Sequence, residues 1–65
     1  MSDLRMGTIV HMDNKNKSGV IEDENAQDII FEFRHLKATV KEYDQVSFEI
    51  ILDKDGLRAI NISKR

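Results

Sequence analysis

The side chains suited to recognition chemistry are a scatter of cations around a few rings. His11, Lys15, Lys17, Arg34, His35 and Lys37 lie near Phe33 in the sequence, a mixture that offers positive charge for anions and one flat face for stacking. Other chemistries find less support. His11 and His35 are the only histidines, neither is spaced with a second ligand type, and there is no Cys, so no metal site is expected. Asp53-Lys54-Asp55-Gly56 resembles a fragment of a calcium loop, but the Gly comes early and the terminal Glu is missing, which makes it a hairpin turn. Asn16-Lys17-Ser18 and Asn61-Ile62-Ser63 satisfy the glycosylation rule by chance, because no secretory signal accompanies them. No Gly-rich phosphate loop, supported Ser-His-Asp ordering or convincing acid pair occurs, so the expectation is a non-enzyme without a cofactor.

Composition limits what can position these residues. Sixty-five residues allow one small domain, near the lower limit for folding without covalent or metal staples. Ten Lys plus Arg against twelve Asp plus Glu give a net charge of -2, so any attraction for a polyanion has to come from a local patch. The chain shows no apolar run long enough for a signal peptide or a membrane span, and with no Cys it suits a reducing, cytoplasmic setting.

The elements read as five short strands, approximately 5-12, 18-23, 28-33, 45-53 and 57-63, forming a single all-β domain over 1-65. Asp13 to Gly19 is a cluster of turn formers, and Glu22-Asp23-Glu24-Asn25 is an acidic turn. Asp28 to Phe33 is rich in β-branched and aromatic residues. Residues 34–44 form the longest connection, with room for one helical turn. Val46, Phe48, Ile50 and Leu52 alternate with Ser47, Glu49, Ile51 and Asp53, which predicts one buried face, and Asp55-Gly56 marks the hairpin to the fifth strand. Phe31 and Phe48 fall on the inward phase. Five short strands without Pro favour a closed barrel, because closure removes long free edges.

Gly7-Thr8-Ile9, Ser18-Gly19-Val20-Ile21, Asp28 to Phe33, Val46-Ser47-Phe48-Glu49 and Ala59-Ile60-Asn61-Ile62 resemble, in order and spacing, the bacterial cold-shock protein family. The resemblance spans nearly the whole chain and implies a five-stranded antiparallel OB-fold barrel. It also implies binding of single-stranded RNA or DNA, as a nucleic-acid chaperone or regulator of gene expression. In that family, rings on the outer face of strands one to three stack on bases, each contributing ~1–3 kcal/mol. Here the strand-one Trp-Phe pair matches His11-Met12, and the motif Lys-Gly-Tyr/Phe-Gly-Phe-Ile matches Asn16-Lys17-Ser18-Gly19-Val20-Ile21. Val-Phe-Val-His-Phe matches Ile29-Ile30-Phe31-Glu32-Phe33, so Phe33 alone keeps a ring. The 34–44 connection is shorter than in the family and lacks its Gly-rich segment with an additional Phe.

Two hypotheses follow. The first is weak single-strand binding, with Phe33 as the stacking platform and His11, Lys15, Lys17, Arg34 and Lys37 as the cationic contacts. The second is a protein-contact or homodimer surface built from Met12, Val20, Ile30 and Phe33, because aliphatic side chains bury well against protein but stack poorly on bases.

Overall fold

The computed structural model describes residues 4–65. It contains β1 (Arg5–Asp13), β2 (Ser18–Asp23), β3 (Asp28–Glu32), β4 (Gln45–Asp53) and β5 (Gly56–Lys64), with a single 3-10 turn, Phe33–His35, after β3. The strands close into a barrel in the order β1-β2-β3-β5-β4. Four of the neighbouring pairs are antiparallel, whereas β3 and β5 run parallel through Ile30↔Arg58 and Phe31↔Ala59. The expected all-antiparallel barrel is therefore corrected to a mixed one, and the reason is geometric. Strand directions cannot alternate all the way around a ring with an odd number of members, so one pair must be parallel. Leu36 lengthens that seam by a parallel bridge to Ile62, and the Lys37 N–H donates to the Ile62 carbonyl at 2.8 Å.

The period-two pattern sorts side chains into alternating rows. Ile9, Ile21 and Ile29 are register partners pointing inward. A second inward row runs through Met12, Gly19, Phe31, Ala59 and Ile50. With Val46, Phe48 and Ile62 they make the core, in which Phe31 and Phe48 are fully buried as the sequence predicts. Full burial of such a side chain is worth about 1.5–3 kcal/mol, so this small set of residues supplies the driving force for the fold.

Two irregularities keep the rows in phase. In β1, Ile9 opposes Ile21 but His11 opposes Val20, which leaves Val10 as a bulge residue. The displaced Ile9 backbone is satisfied by residues 34–44: its N–H donates to the Asp44 carbonyl at 3.0 Å and its carbonyl accepts from the Tyr43 N–H at 2.7 Å. In β5, Asn61 takes a left-handed backbone (φ 51) where the β4 register shifts between Ser47 and Glu49, and its Nδ2 donates to Glu49 Oε1 at 2.8 Å. That extra residue turns Ile62 back into the core beside Ala59, giving a physical reason for the Ala-x-Asn-Ile ending.

The hairpin turn is where expected, with Gly56 at φ 116 closing a two-residue connection against Asp53. The buried face predicted for β4 stops early, however, because Leu52 is 81% exposed. Among the described residues β1 pairs with β4 from Gln45 to Phe48, so the far half of the β4–β5 hairpin runs past the described β1 pairing and Leu52 stays outside the core. Strand three is also one residue shorter than read, since Phe33 opens the 3-10 turn.

The β2–β3 turn is held from inside by Asp23, whose Oδ1 accepts the Asn25 and Gln27 N–H groups at 2.9 Å each. Gly19 is a tight point of the sheet. A Cβ there would lie 2.6 Å from the His11 carbonyl oxygen and 2.6 Å from the Phe31 ring. Gly19→Ala is expected to displace Phe31 and cost ~1–3 kcal/mol, read as a lower midpoint in thermal or urea unfolding; an unchanged midpoint would contradict this packing.

Candidate nucleic-acid interface

Because Ile9, Ile21 and Ile29 face inward, their alternate neighbours face out. His11, Val20 and Ile30 are register partners across β1, β2 and β3, and the row continues to Arg58 on β5 and Ile51 on β4. His11 and Ile51 are exposed, Ile30 is 53% exposed, and Val20 is half-buried among them. Next to this row lie Asp13, Ser18 and Glu32, again direct register partners. The positions where the family resemblance implies stacking rings, His11, Ser18, Val20 and Ile30, thus share one outer face as expected.

Phe33 stands at the edge of that face. Its N–H donates to the Lys17 carbonyl at 2.9 Å, and its ring lies 6.2 Å from that of Phe31, nearly parallel at 24°. Lys17 can offer that carbonyl because it adopts a left-handed backbone (φ 57), at the position where the resembling motif has Gly. Phe33, Met12 and Val40 line an open groove of about 510 Å³ with Asn14, Leu36 and Lys37 around it. A second open groove of about the same volume runs on the other side of Val40, past Lys41 and Tyr43. Met12 therefore sits in the grooves and packs against the core. It does not lie in a common strip with Val20 and Ile30, because the Val10 bulge places it on the inward row with Gly19 and Phe31.

The cations fall into two groups. Lys15 and Lys17 are exposed in the β1–β2 turn and Lys37 is exposed at the groove, so all three are available to phosphates. Arg34 is engaged: its Nη2 lies 3.1 Å from Glu32 Oε1. His35 is half-buried at the end of the 3-10 turn. Arg58, which sequence reasoning did not single out, links the face to the protruding hairpin. Its Nη1 donates to Glu32 Oε1 at 3.3 Å, its Nη2 lies 3.5 Å from Asp55, and its Nε lies 3.1 Å from Asp53 Oδ2, out of line for a hydrogen bond. Val10 and Ile51 were also missed. Val10 faces out as the immediate neighbour of the inward Ile9, and Ile51 joins the row only through a β4–β5 register that no local pattern announces. Among the described residues there is no cluster of His, Cys, Asp or Glu able to hold a metal ion, and no helix is long and apolar enough to cross a membrane.

No protein-family model matches the chain, and no curated protein sequence matches it. Among solved structures, one described as Drosophila Unr CSD456 is similar to it with a TM-score of 0.83 at 22% identity, over 98% of this chain. The fold is that of a cold-shock domain. The similarity covers 27% of that neighbour, so the present chain corresponds to about a quarter of its length. In this cold-shock fold the outer face carries His11, Ser18, Val20 and Ile30 at the positions where the family resemblance implies stacking rings.

The turn that presents Lys15 and Lys17 is organised by Asp13. Its Oδ1 accepts the Lys15 and Asn16 N–H groups at 3.1 Å each, and its Oδ2 accepts from Asn16 Nδ2 at 2.8 Å. The Asn16 side-chain bond, followed by the Asn16 N–H, holds the Asp13 carboxyl below the usual aspartate range. A depressed carboxyl stabilises the turn above the unfolded-state pKa, and that contribution is lost as pH falls through the lower folded value. Asn16→Ala is expected to raise the Asp13 titration midpoint toward that of a free aspartate, followed by carboxyl-carbon NMR shifts; an unmoved midpoint would show that Asn16 does not set it.

Proposed function

We propose that this domain binds single-stranded RNA or DNA, weakly and without catalysis, across the outer face of β1, β2 and β3. The observation that carries the reading is the alignment of His11, Val20 and Ile30 in one outward row, bordered by the Phe33 groove and flanked by Lys15, Lys17 and Lys37. Aliphatic side chains supply less attraction to a base than rings at ~1–3 kcal/mol each, so affinity depends more heavily on Phe33 and on phosphate contacts. The resemblance to the cold-shock family, whose members grip single strands on the equivalent face, supports the same assignment. A role as an RNA chaperone or regulator of gene expression in a reducing, cytoplasmic setting fits a binder of this kind.

The test is a titration of fluorescent oligopyrimidine at low and moderate salt. Binding is expected at low salt, with log affinity falling against log salt by about 0.7 per phosphate contacted. Phe33→Leu removes the ring while retaining apolar volume against Leu36 and Met12, and is expected to weaken binding at least about fivefold. No binding at low salt with tens of micromolar protein would overturn the proposal.

A second reading is favoured by one observation: Val10, Ile30 and Ile51 are all exposed apolar residues on or beside the same row. That surface suits association with a protein partner or a second copy of the chain. Val20→Glu with Ile30→Glu is expected to abolish any self-association seen by sedimentation velocity while leaving the barrel folded; association that survives the double substitution would exclude this face.

A further inference from the structure

Glu32 is the chemical departure on this face that neither weak stacking nor phosphate contact explains. It stands in the outer row with Asp13 and Ser18, directly between the exposed Ile30 and the Phe33 ring in sequence. An unpaired carboxylate there would repel a nucleic-acid backbone. This one is paired: Oε1 receives Arg34 Nη2 at 3.1 Å and Arg58 Nη1 at 3.3 Å. Arg58 is itself braced by Asp53 and Asp55 on the hairpin. The two guanidinium groups hold the side chain in place, with Arg58 shared among Glu32, Asp53 and Asp55. Both bonds fall on Oε1, so of the roughly four lone-pair directions of a carboxylate the open ones lie on Oε2 of a group that is still 38% exposed, and a contact that uses both oxygens shares Oε1 with the arginines.

A fixed acceptor beside an apolar platform is suited to reading the edge of an unpaired base. The bases differ in what they offer. Guanine presents N1–H and the N2 amino group side by side, two parallel donors that match the two oxygens of a carboxylate. Cytosine and adenine each present one amino group next to a ring-nitrogen acceptor, and uracil and thymine present one N–H between two carbonyls. In those bases the adjacent acceptor faces the second carboxylate oxygen and opposes the contact. We propose that Glu32, positioned by Arg34 and Arg58, is a base-reading residue that makes this face prefer guanine at the nucleotide lying over Ile30 and Phe33. The inference rests on the strand-binding reading and adds to it the base that the site selects.

The experiment compares three short oligouridylates with the full chain at fixed low salt: unsubstituted, with one central guanosine, and with inosine at that position. Inosine keeps N1–H and lacks the N2 amino group. The guanosine strand is expected to bind at least about fivefold tighter than the uridine strand, the lower end for a two-bond base contact, and tighter than the inosine strand. Glu32→Gln, whose amide cannot accept both donors, is expected to erase the guanosine advantage while uridine binding is retained or improved as a negative charge is lost. Equal binding of the guanosine and inosine strands, or a guanosine preference that survives in Glu32→Gln, would overturn the role of Glu32 and leave strand binding standing. Failure of all the strands to bind would overturn strand binding and this inference together. The inosine comparison uses the unaltered protein, so it decides the matter even if the variant is less stable.

Discussion

The inward row of Ile9, Ile21 and Ile29 is the constraint on which the surface depends. Side chains alternate with period two along a strand, so slipping any one of these strands by one residue would send its isoleucine into water and, in β2 or β3, bring Val20 or Ile30 inside. The loss would be a buried aliphatic side chain for each strand that slips, at about 1.5–3 kcal/mol each, a large share of the stability of a domain this small. Register is therefore fixed by the core, and the outer face follows from it without interactions of its own. The Val10 bulge and the Asn61 bulge belong to the same constraint, since each restores the inward phase after a closing strand has bent.

A face determined this way can change its chemistry without changing its shape. His11, Ser18, Val20 and Ile30 occupy outward positions whose side chains the core does not specify, so rings can be exchanged there for aliphatic or polar groups with little effect on the barrel. What changes is the balance of forces on a ligand. Under the strand-binding proposal, fewer rings shift affinity toward electrostatic contact, for which Lys15, Lys17 and Lys37 are exposed beside the face. Exposed ion pairs such as Arg34–Glu32 contribute about 0–1 kcal/mol each. They are better suited to fixing a side chain in position than to holding the fold together.

Much of the fold was legible in the sequence. Alternation in β4 and the Asp55-Gly56 turn located the hairpin, and dense turn formers separated β1 from β2. Leu52 was misplaced because alternation reports the phase of a strand and says nothing about how far its neighbour extends; among the described residues β1 pairs with β4 as far as Phe48, and beyond it Ile50 still packs against the core while Leu52 does not. The parallel β3–β5 contact was hidden because it joins residues far apart in sequence, although the count of five strands in a closed ring already required one such pair. At the candidate site, His11, Val20 and Ile30 could be placed together from the strand pattern and the family resemblance. Met12 could not, since the bulge that turns it inward leaves no signature in Ile9-Val10-His11. Arg58 and the pairing of Arg34 with Glu32 depend on side chains meeting across three strands, which only coordinates reveal.

The most direct test of the central claim, that one outward row set by the core is the ligand surface, is amide chemical-shift mapping during titration with a short single strand. The account predicts the largest changes at His11, Ser18, Val20, Ile30 and Phe33, with the Lys54-Asp55 hairpin tip nearly unmoved. Changes confined to that hairpin tip, or spread evenly over the barrel, would contradict it.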